Sequence, residues 1–162
     1  MKPCEDGSSI DIFKISNDED YKKAKLNCLN LEREFIFEES IEGREFTVTI
    51  IGNKCYPVIE IKTQNDFYDY DAKYISDDTI LDQAKLSDNE LNTINDIALR
   101  AFCALKCSGW ARVDIIQDIN GNFNVIEINT VPGMTSHSCV PKSASFMDLS
   151  YQDVIKEILV NV

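Results

Sequence analysis

Apolar side chains recur along this chain with two periods, and each predicts its own elements. In ARVDIIQD (111–118) and FNVIEIN (123–129), polar and apolar residues take turns, as in strands with one buried face. INGN between them reads as the turn. REFTVTIIG (44–52) and KCYPVIEIK (54–62) form a second strand pair reversing at Gly52-Asn53, and REFIFEE (33–39) and IDIFKI (10–15) read as shorter strands. Helical spacing marks NDEDYKKAKLNCLNLE (17–32), capped by Asn17 with Tyr21, Ala24 and Cys28 on one side. A longer helix follows the capping box Ser87/Glu90, with Leu91, Ile94, Ala98, Ala101, Phe102 and Leu105 on its apolar face and Gly109 just past its end. Ser150 and Asp153 open a C-terminal helix bearing Val154, Ile155, Ile158 and Leu159. Glu42-Gly43 reads as a turn, and DFYDYDAKYISDDT (66–79) follows neither period, so it is read as an ordered loop or short strand. Hairpins mixed with helices, without strict alternation, predict an α+β fold around an antiparallel sheet.

The hairpin of residues 111–129 carries the chemistry. Asn and Gly tolerate the positive φ that a type I′ turn needs, so Asn120-Gly121 is predicted as the reversal. That register sets Asp114 opposite Glu127 and Arg112 opposite Asn129, all four on one face. Val113, Ile115, Ile126 and Ile128 then take the other. Two carboxylates facing each other across a ladder repel. Protonation of one, or a cation between them, relieves the conflict, with Arg112 on a solvated face as the plainer alternative. Asp114, Glu127 and the Asn129 amide oxygen are hard ligands suited to Mg²⁺, with Mn²⁺ as a substitute. The adjoining loop VPGMTSHS adds backbone N–H groups and hydroxyls suited to an oxyanion or a substrate carboxylate.

Composition narrows the classes. With 162 residues, 44% of them hydrophobic, the chain can build one core and is not disordered. A net charge of −12, from 28 acidic and 16 basic residues, argues against nucleic acid as a partner. No apolar run reaches the ~20 residues of a membrane span, and the N-terminal MKPCEDGSSID has no signal-peptide core. The expected location is the cytoplasm. Six scattered cysteines and a single histidine are read as reduced thiols and a loop residue rather than a zinc site.

FYDYDAKY (67–74), GWARVD (109–114) and EINTVPGMTSHS (127–138), with KP (2–3), EDGSS (5–9) and EGREFTV (42–48) in order before them, closely resemble D-alanine–D-alanine ligases of the ATP-grasp superfamily. The resemblance runs over nearly the whole chain. It implies an ATP-grasp sheet packed with helices, and ATP-dependent joining of two D-alanines through an acyl phosphate for peptidoglycan. Carried over by position, Lys2 and Lys73 hold nucleotide phosphates, Glu38 meets the adenine amino group and Glu45 the ribose. Ile41, Phe67 and Ile126 wall the adenine slot. Ser8 and Ser9 lie in the phosphate-covering loop, Ser8 networked with Tyr74. Asp114, Glu127 and Asn129 match the magnesium ligands. Arg112 and the Gly133 amide match the groups that stabilise the transferring phosphoryl and the tetrahedral intermediate, and Ser138 the hydroxyl holding the second substrate's carboxylate.

Departures accompany the likeness. Such ligases are roughly twice as long. Residues 1–162 are therefore expected to be the C-terminal ATP-grasp domain alone, without the N-terminal substrate domain and part of the central subdomain, as a split or decayed gene product or a piece of a longer chain. Full-length relatives of this kind are often homodimers. Ser40 stands where the family usually has an aromatic, Asp11 and Ala111 where it has Gly, and Thr130-Val131-Pro132-Gly133 where Thr-Ser-Pro-Gly is usual. ILDQAKLSDNE (80–90) is shorter and lacks a Cys-Pro segment. The competing expectations are a related ligase that takes D-lactate or D-serine second, and a non-catalytic remnant. The isolated chain is expected to bind Mg-ATP weakly and to make no dipeptide.

Overall fold

A computed structural model describes residues 1–5, 10–29, 31–62 and 80–162. The chain divides into two compact units, Met1–Ile41 with Thr63–Thr79, and Glu42–Lys62 with Ile80–Val162. Residues 63–79, including the segment read as an ordered loop, lie outside the described residues, as do 6–9 and 30.

In the first unit, β1 (Lys2–Pro3) pairs antiparallel with β2 (Phe35–Ile36). Helix α1 (Asp18–Cys28) starts where expected, because the Asn17 side chain accepts from the Glu19 and Asp20 amides and three acids fill the first turn. IDIFKI is not a strand. Phe13 exchanges hydrogen bonds of 2.8 and 2.9 Å with Met1 without forming a strand. Asp11 breaks the extended run with φ 56°, a left-handed conformation that favours Gly, and its carboxylate is held by Arg33.

The second unit is a six-stranded antiparallel sheet, ordered β6-β5-β3-β7-β8, with the short β4 also on β3. Its strands are β3 (Gly43–Ile51), β4 (Lys54–Cys55), β5 (Ile59–Lys62), β6 (Ile80–Gln83), β7 (Trp110–Asp118) and β8 (Phe123–Asn129). The Gly52-Asn53 reversal is present, with Ile51 opposite Lys54. Glu42-Gly43 is no turn: Gly43 opens β3 opposite Asp118, where a Cβ would lie 1.8 Å from the Gln117 carbonyl oxygen, so only Gly lets the strands meet. Strand β6 falls in the shortened region and has no clear alternation to announce it.

Helix α2 (Asp88–Ala104) has the predicted capping box and buries Ile94, Ala98 and Phe102 against Phe46, Val48, Ile50, Val113 and Ile115. Leu91 and Leu105, assigned to the same face, are exposed. Lys106 (φ 54°) takes the left-handed position that ends the helix, and Gly109 (φ 74°) a second one before β7. On the other face of the sheet, Ile51 and Tyr56 join Val140 and Ala144 of α3 (Cys139–Ser145) and Val154 and Ile158 of α4 (Tyr151–Asn161). With both faces covered, the central strand β3 is buried from Phe46 to Ile51. All six cysteines are free, and no helix among the described residues is long and apolar enough to cross a membrane.

Candidate active site

The sheet face opposite α2 collects the polar residues. In β3, Glu45, Thr47 and Thr49 alternate with the core residues Phe46, Val48 and Ile50. Across the ladder, Thr47 stands opposite Asp114 and Thr49 opposite Arg112, while Asp114 stands opposite Glu127 and Arg112 opposite Asn129. Glu45 lies one step along the same face, between Ile61 and Ile116.

The predicted juxtaposition is present, although the hairpin reaches it by another route. The reversal spans Ile119–Gly121, with the Asp118 amide bonded to the Asn122 carbonyl and Gly121 at φ 86°. Asp118 organises this loop, accepting from the Asn120 and Asn122 amides at 2.8 Å and from the Asn122 side chain at 2.9 Å. Those bonds hold its carboxyl below the ordinary value, the Asn122 side chain foremost. Near the turn, Gln117 pairs with Phe123 and Ile115 with Val125, one residue off the expected register. A β-bulge between Asp114 and Ile115 restores it. Ile126 is the extra residue. It is 39% exposed instead of lying with Val113 and Ile115 on the core face.

Asp114 is the hub. Its Oδ1 accepts from Thr47 Oγ1 at 2.6 Å and Arg112 Nε at 2.9 Å; its Oδ2 accepts from Arg112 Nη2 at 2.8 Å and Asn129 Nδ2 at 3.0 Å. The same Asn129 amide reaches Glu127 Oε1 at 3.4 Å. The side chains of Arg112 and Asp114 are 14% and 13% exposed, so the bidentate pair is largely out of water. The Asn129 amide thus bridges Asp114 and Glu127, while the Arg112 guanidinium pairs with Asp114 alone. No cluster of three or more His, Cys, Asp or Glu exists among the described residues; the candidate ligand set has two carboxylates and relies on Asn129 for a third donor.

The other expected residues fall in different places. Gly133 is exposed, and a Cβ there would lie 2.9 Å from Ser138 Oγ, so the loop closes tightly on itself. Ser138 precedes α3, where its hydroxyl accepts from the Thr135 amide at 3.0 Å and meets Thr135 Oγ1 at 2.9 Å. Lys2 and Glu38, in the first unit, form an ion pair with each other at 2.7 Å, and Ile41 is partly buried. Ser8, Ser9, Phe67, Lys73 and Tyr74 lie outside the described residues. Sequence reasoning missed Thr47. The alternation of TVT shows that Thr47 and Thr49 share a face, but only the pairing of β3 with β7 shows which face.

An antiparallel sheet backed by one long helix, with acids, an amide and a guanidinium on its other, polar face, is the core of an ATP-grasp-type protein. The D-ala D-ala ligase C-terminus family matches residues 1–160, and the chain belongs to it. The D-alanine–D-alanine ligase of Mannheimia succiniciproducens is 39% identical over 160 residues, which is 98% of this chain and 52% of that protein. The crystal structure of the Bacillus anthracis D-alanine–D-alanine ligase superposes with a TM-score of 0.83 at 33% identity, covering 98% of this chain and 52% of that one. Its form complexed with ATP gives 0.76 at 29%, covering 88% and 46%. The VanG D-Ala:D-Ser ligase of Enterococcus faecalis gives 0.81 at 30%, covering 98% and 47%. The chain spans about half the length of the curated relatives it matches.

Proposed function

We propose that this chain supplies the nucleotide- and metal-binding part of a cytoplasmic enzyme that joins two D-alanines at the expense of ATP, for peptidoglycan synthesis. The observation that carries the reading is the row of Asp114, Glu127 and Asn129 on one sheet face, with Arg112 clamped beside it. The ATP-bound Bacillus relative supports the nucleotide.

The donor set fits Mg²⁺, or Mn²⁺ in its place. Two carboxylates are already side by side, and a half-turn of the Asn129 amide exchanges its N–H for a third oxygen. When bound, such an ion neutralises nucleotide phosphates. The residues themselves do the rest. Lys2, with Lys73, holds phosphates, and Glu38, Glu45, Ile41, Phe67 and Ile126 hold the nucleoside. Ser8 and Ser9 cover the phosphates, and Tyr74 joins a hydrogen-bond network with Ser8. The γ-phosphoryl group passes to the carboxylate of the first D-alanine, the amine of the second attacks the acyl phosphate, and phosphate leaves. Arg112, its plane fixed by Asp114, and the Gly133 amide stabilise charge as it develops on the transferring group and on the oxyanion. Ser138 holds the carboxylate of the second substrate. The rest of the enzyme brings the first D-alanine, and a homodimer is one form open to it at full length. The match to a D-Ala:D-Ser ligase favours one variation, D-serine as second substrate, which product analysis of the whole enzyme distinguishes.

Titration calorimetry of ATP, with and without Mg²⁺, tests the reading on this chain and on the Asp114→Ala/Glu127→Ala double variant. Weak binding that tightens with Mg²⁺ only in the parent is expected. Equal Mg²⁺-dependent binding by both proteins would leave the acids without a role.

A further inference from the structure

Thr47 is 1% exposed, yet its hydroxyl makes the shortest contact to Asp114, 2.6 Å to Oδ1. That length is typical of a hydroxyl donating to an ionised carboxylate. The four bonds to Asp114 divide by oxygen. Oδ1 takes Thr47 and Arg112 Nε. Oδ2 takes Arg112 Nη2 and the Asn129 amide, which is shared with Glu127. A carboxylate on a short side chain turns about its last bond unless both oxygens are held, and Arg112 comes from the same strand, two residues away. Thr47 is the only one of these donors on the other flanking strand, β3. It therefore ties Oδ1 to the sheet from the side opposite Glu127.

We propose that Thr47 is a positioning residue: its hydroxyl sets the rotation of the Asp114 carboxylate so that Oδ2 faces Glu127 and Asn129, preorganising the divalent-cation site. This inference rests on the metal reading above. Groups that orient a metal ligand in this way commonly change metal affinity by about 10- to 100-fold. Thr49 is a matched internal control. It is on the same strand and face, equally buried at 1%, and its hydroxyl finds no hydrogen-bond partner among the described residues.

The test compares Thr47→Val, which keeps shape but removes the donor, with Thr47→Ser and Thr49→Val. Two readouts are used on the intact chain: the gain in ATP affinity on adding Mg²⁺, and the ¹³C resonance of the Asp114 carboxyl without metal or nucleotide. Thr47→Val should lose about 10-fold of the Mg²⁺-dependent gain while its Mg²⁺-free ATP affinity stays equal to that of Thr49→Val. Thr47→Ser should recover most of the loss, and the Asp114 resonance should move only in Thr47→Val. An unchanged Mg²⁺-dependent gain in Thr47→Val, or the same loss in Thr49→Val, overturns the proposal. If the parent chain shows no Mg²⁺-dependent gain, the functional reading fails by itself. The carboxyl resonance then decides the positioning role: no shift in Thr47→Val removes it.

Discussion

Removing the guanidinium of Arg112 is the sharpest perturbation of the polar face. Arg112→Met keeps an unbranched apolar stem but deletes both bonds to Asp114, at 2.9 and 2.8 Å. The carboxylate would retain Thr47 and Asn129, with Glu127 still opposite. Breaking a fully buried ion pair costs about 3–5 kcal/mol. Here the pair is 13–14% exposed and two donors remain, so the expected loss is about 2–3 kcal/mol. Trp110, the only tryptophan, sits in β7 two residues away, so its fluorescence in a urea titration reports the unfolding of this sheet. The Arg112→Met/Asp114→Asn pair should regain at least about 1 kcal/mol, because the cost lies in the stranded charge and not in the lost methylenes. Millimolar Mg²⁺ should raise the midpoint of Arg112→Met more than that of the parent, since a cation can stand where the guanidinium stood. Strict additivity of the two substitutions, or a loss below about 0.5 kcal/mol, would refute the assignment of Arg112 as the group that makes the paired acids tolerable.

Two further outcomes probe α2. Hydrogen bonds from Ser87, side chain first, then its backbone and Gln117, hold the Glu90 carboxyl at about 2 against an ordinary 4.5. A depressed folded value means that the stabilisation is complete above the unfolded value and is lost as pH falls through the folded one. The midpoint gap between parent and Ser87→Ala should thus be constant above about pH 5 and narrow between about 4.5 and 2, down to the part due to the lost N-cap; an equal gap at pH 3 and pH 7 would contradict it. Ile94→Ala, at a fully buried position, should cost about 2–4 kcal/mol, whereas Leu91→Ala, at 38% exposure, should cost under about 1, as measured by urea unfolding. Similar costs at the two sites would mean that the helix faces the sheet differently.

The elements that sequence reasoning placed well are those whose local chemistry and tertiary burial agree. Asn17, the Ser87/Glu90 box and the Ser150/Asp153 box each cap a helix because the side chain satisfies an amide that no carbonyl within the helix can reach. The failures share a cause in pairing. IDIFKI looks extended, but Asp11, one of two residues read as standing in place of a family glycine, turns left-handed. The other, Ala111, is fully buried opposite Ile50, where a methyl group packs without strain. Glu42-Gly43 reads as a turn in the sequence, yet Gly43 opens β3. Its real constraint is the approach of the Gln117 carbonyl, which belongs to a strand 74 residues away and leaves no local trace. β6 is a strand because β5 needs a partner, not because ILDQ alternates.

The polar face was legible through two departures that offset each other. A three-residue reversal at Ile119–Gly121 moves the register by one, and alone it would send Glu127 to the face opposite Asp114. The bulge at Ile126 moves it back. The bulge, rather than the turn, is therefore what aligns the two acids. Its signal was in the sequence. Phe123 and Val125 alternate in one phase and Ile126 and Ile128 in the other, so the apolar period slips between Val125 and Ile126. The structure uses both phases for one face: Phe123, in contact with Phe46, and Ile128 pack against the same core. An uninterrupted strand could not bury both, because period two would turn one of them outward. An extra residue is required between them, and it must sit at the Val-Ile doublet, where the chain can absorb it without burying a polar group. The same slip that keeps the core continuous leaves Ile126 at the surface beside Glu127. One packing requirement thereby sets the alignment of the candidate metal ligands and exposes the side chain assigned to the nucleotide wall.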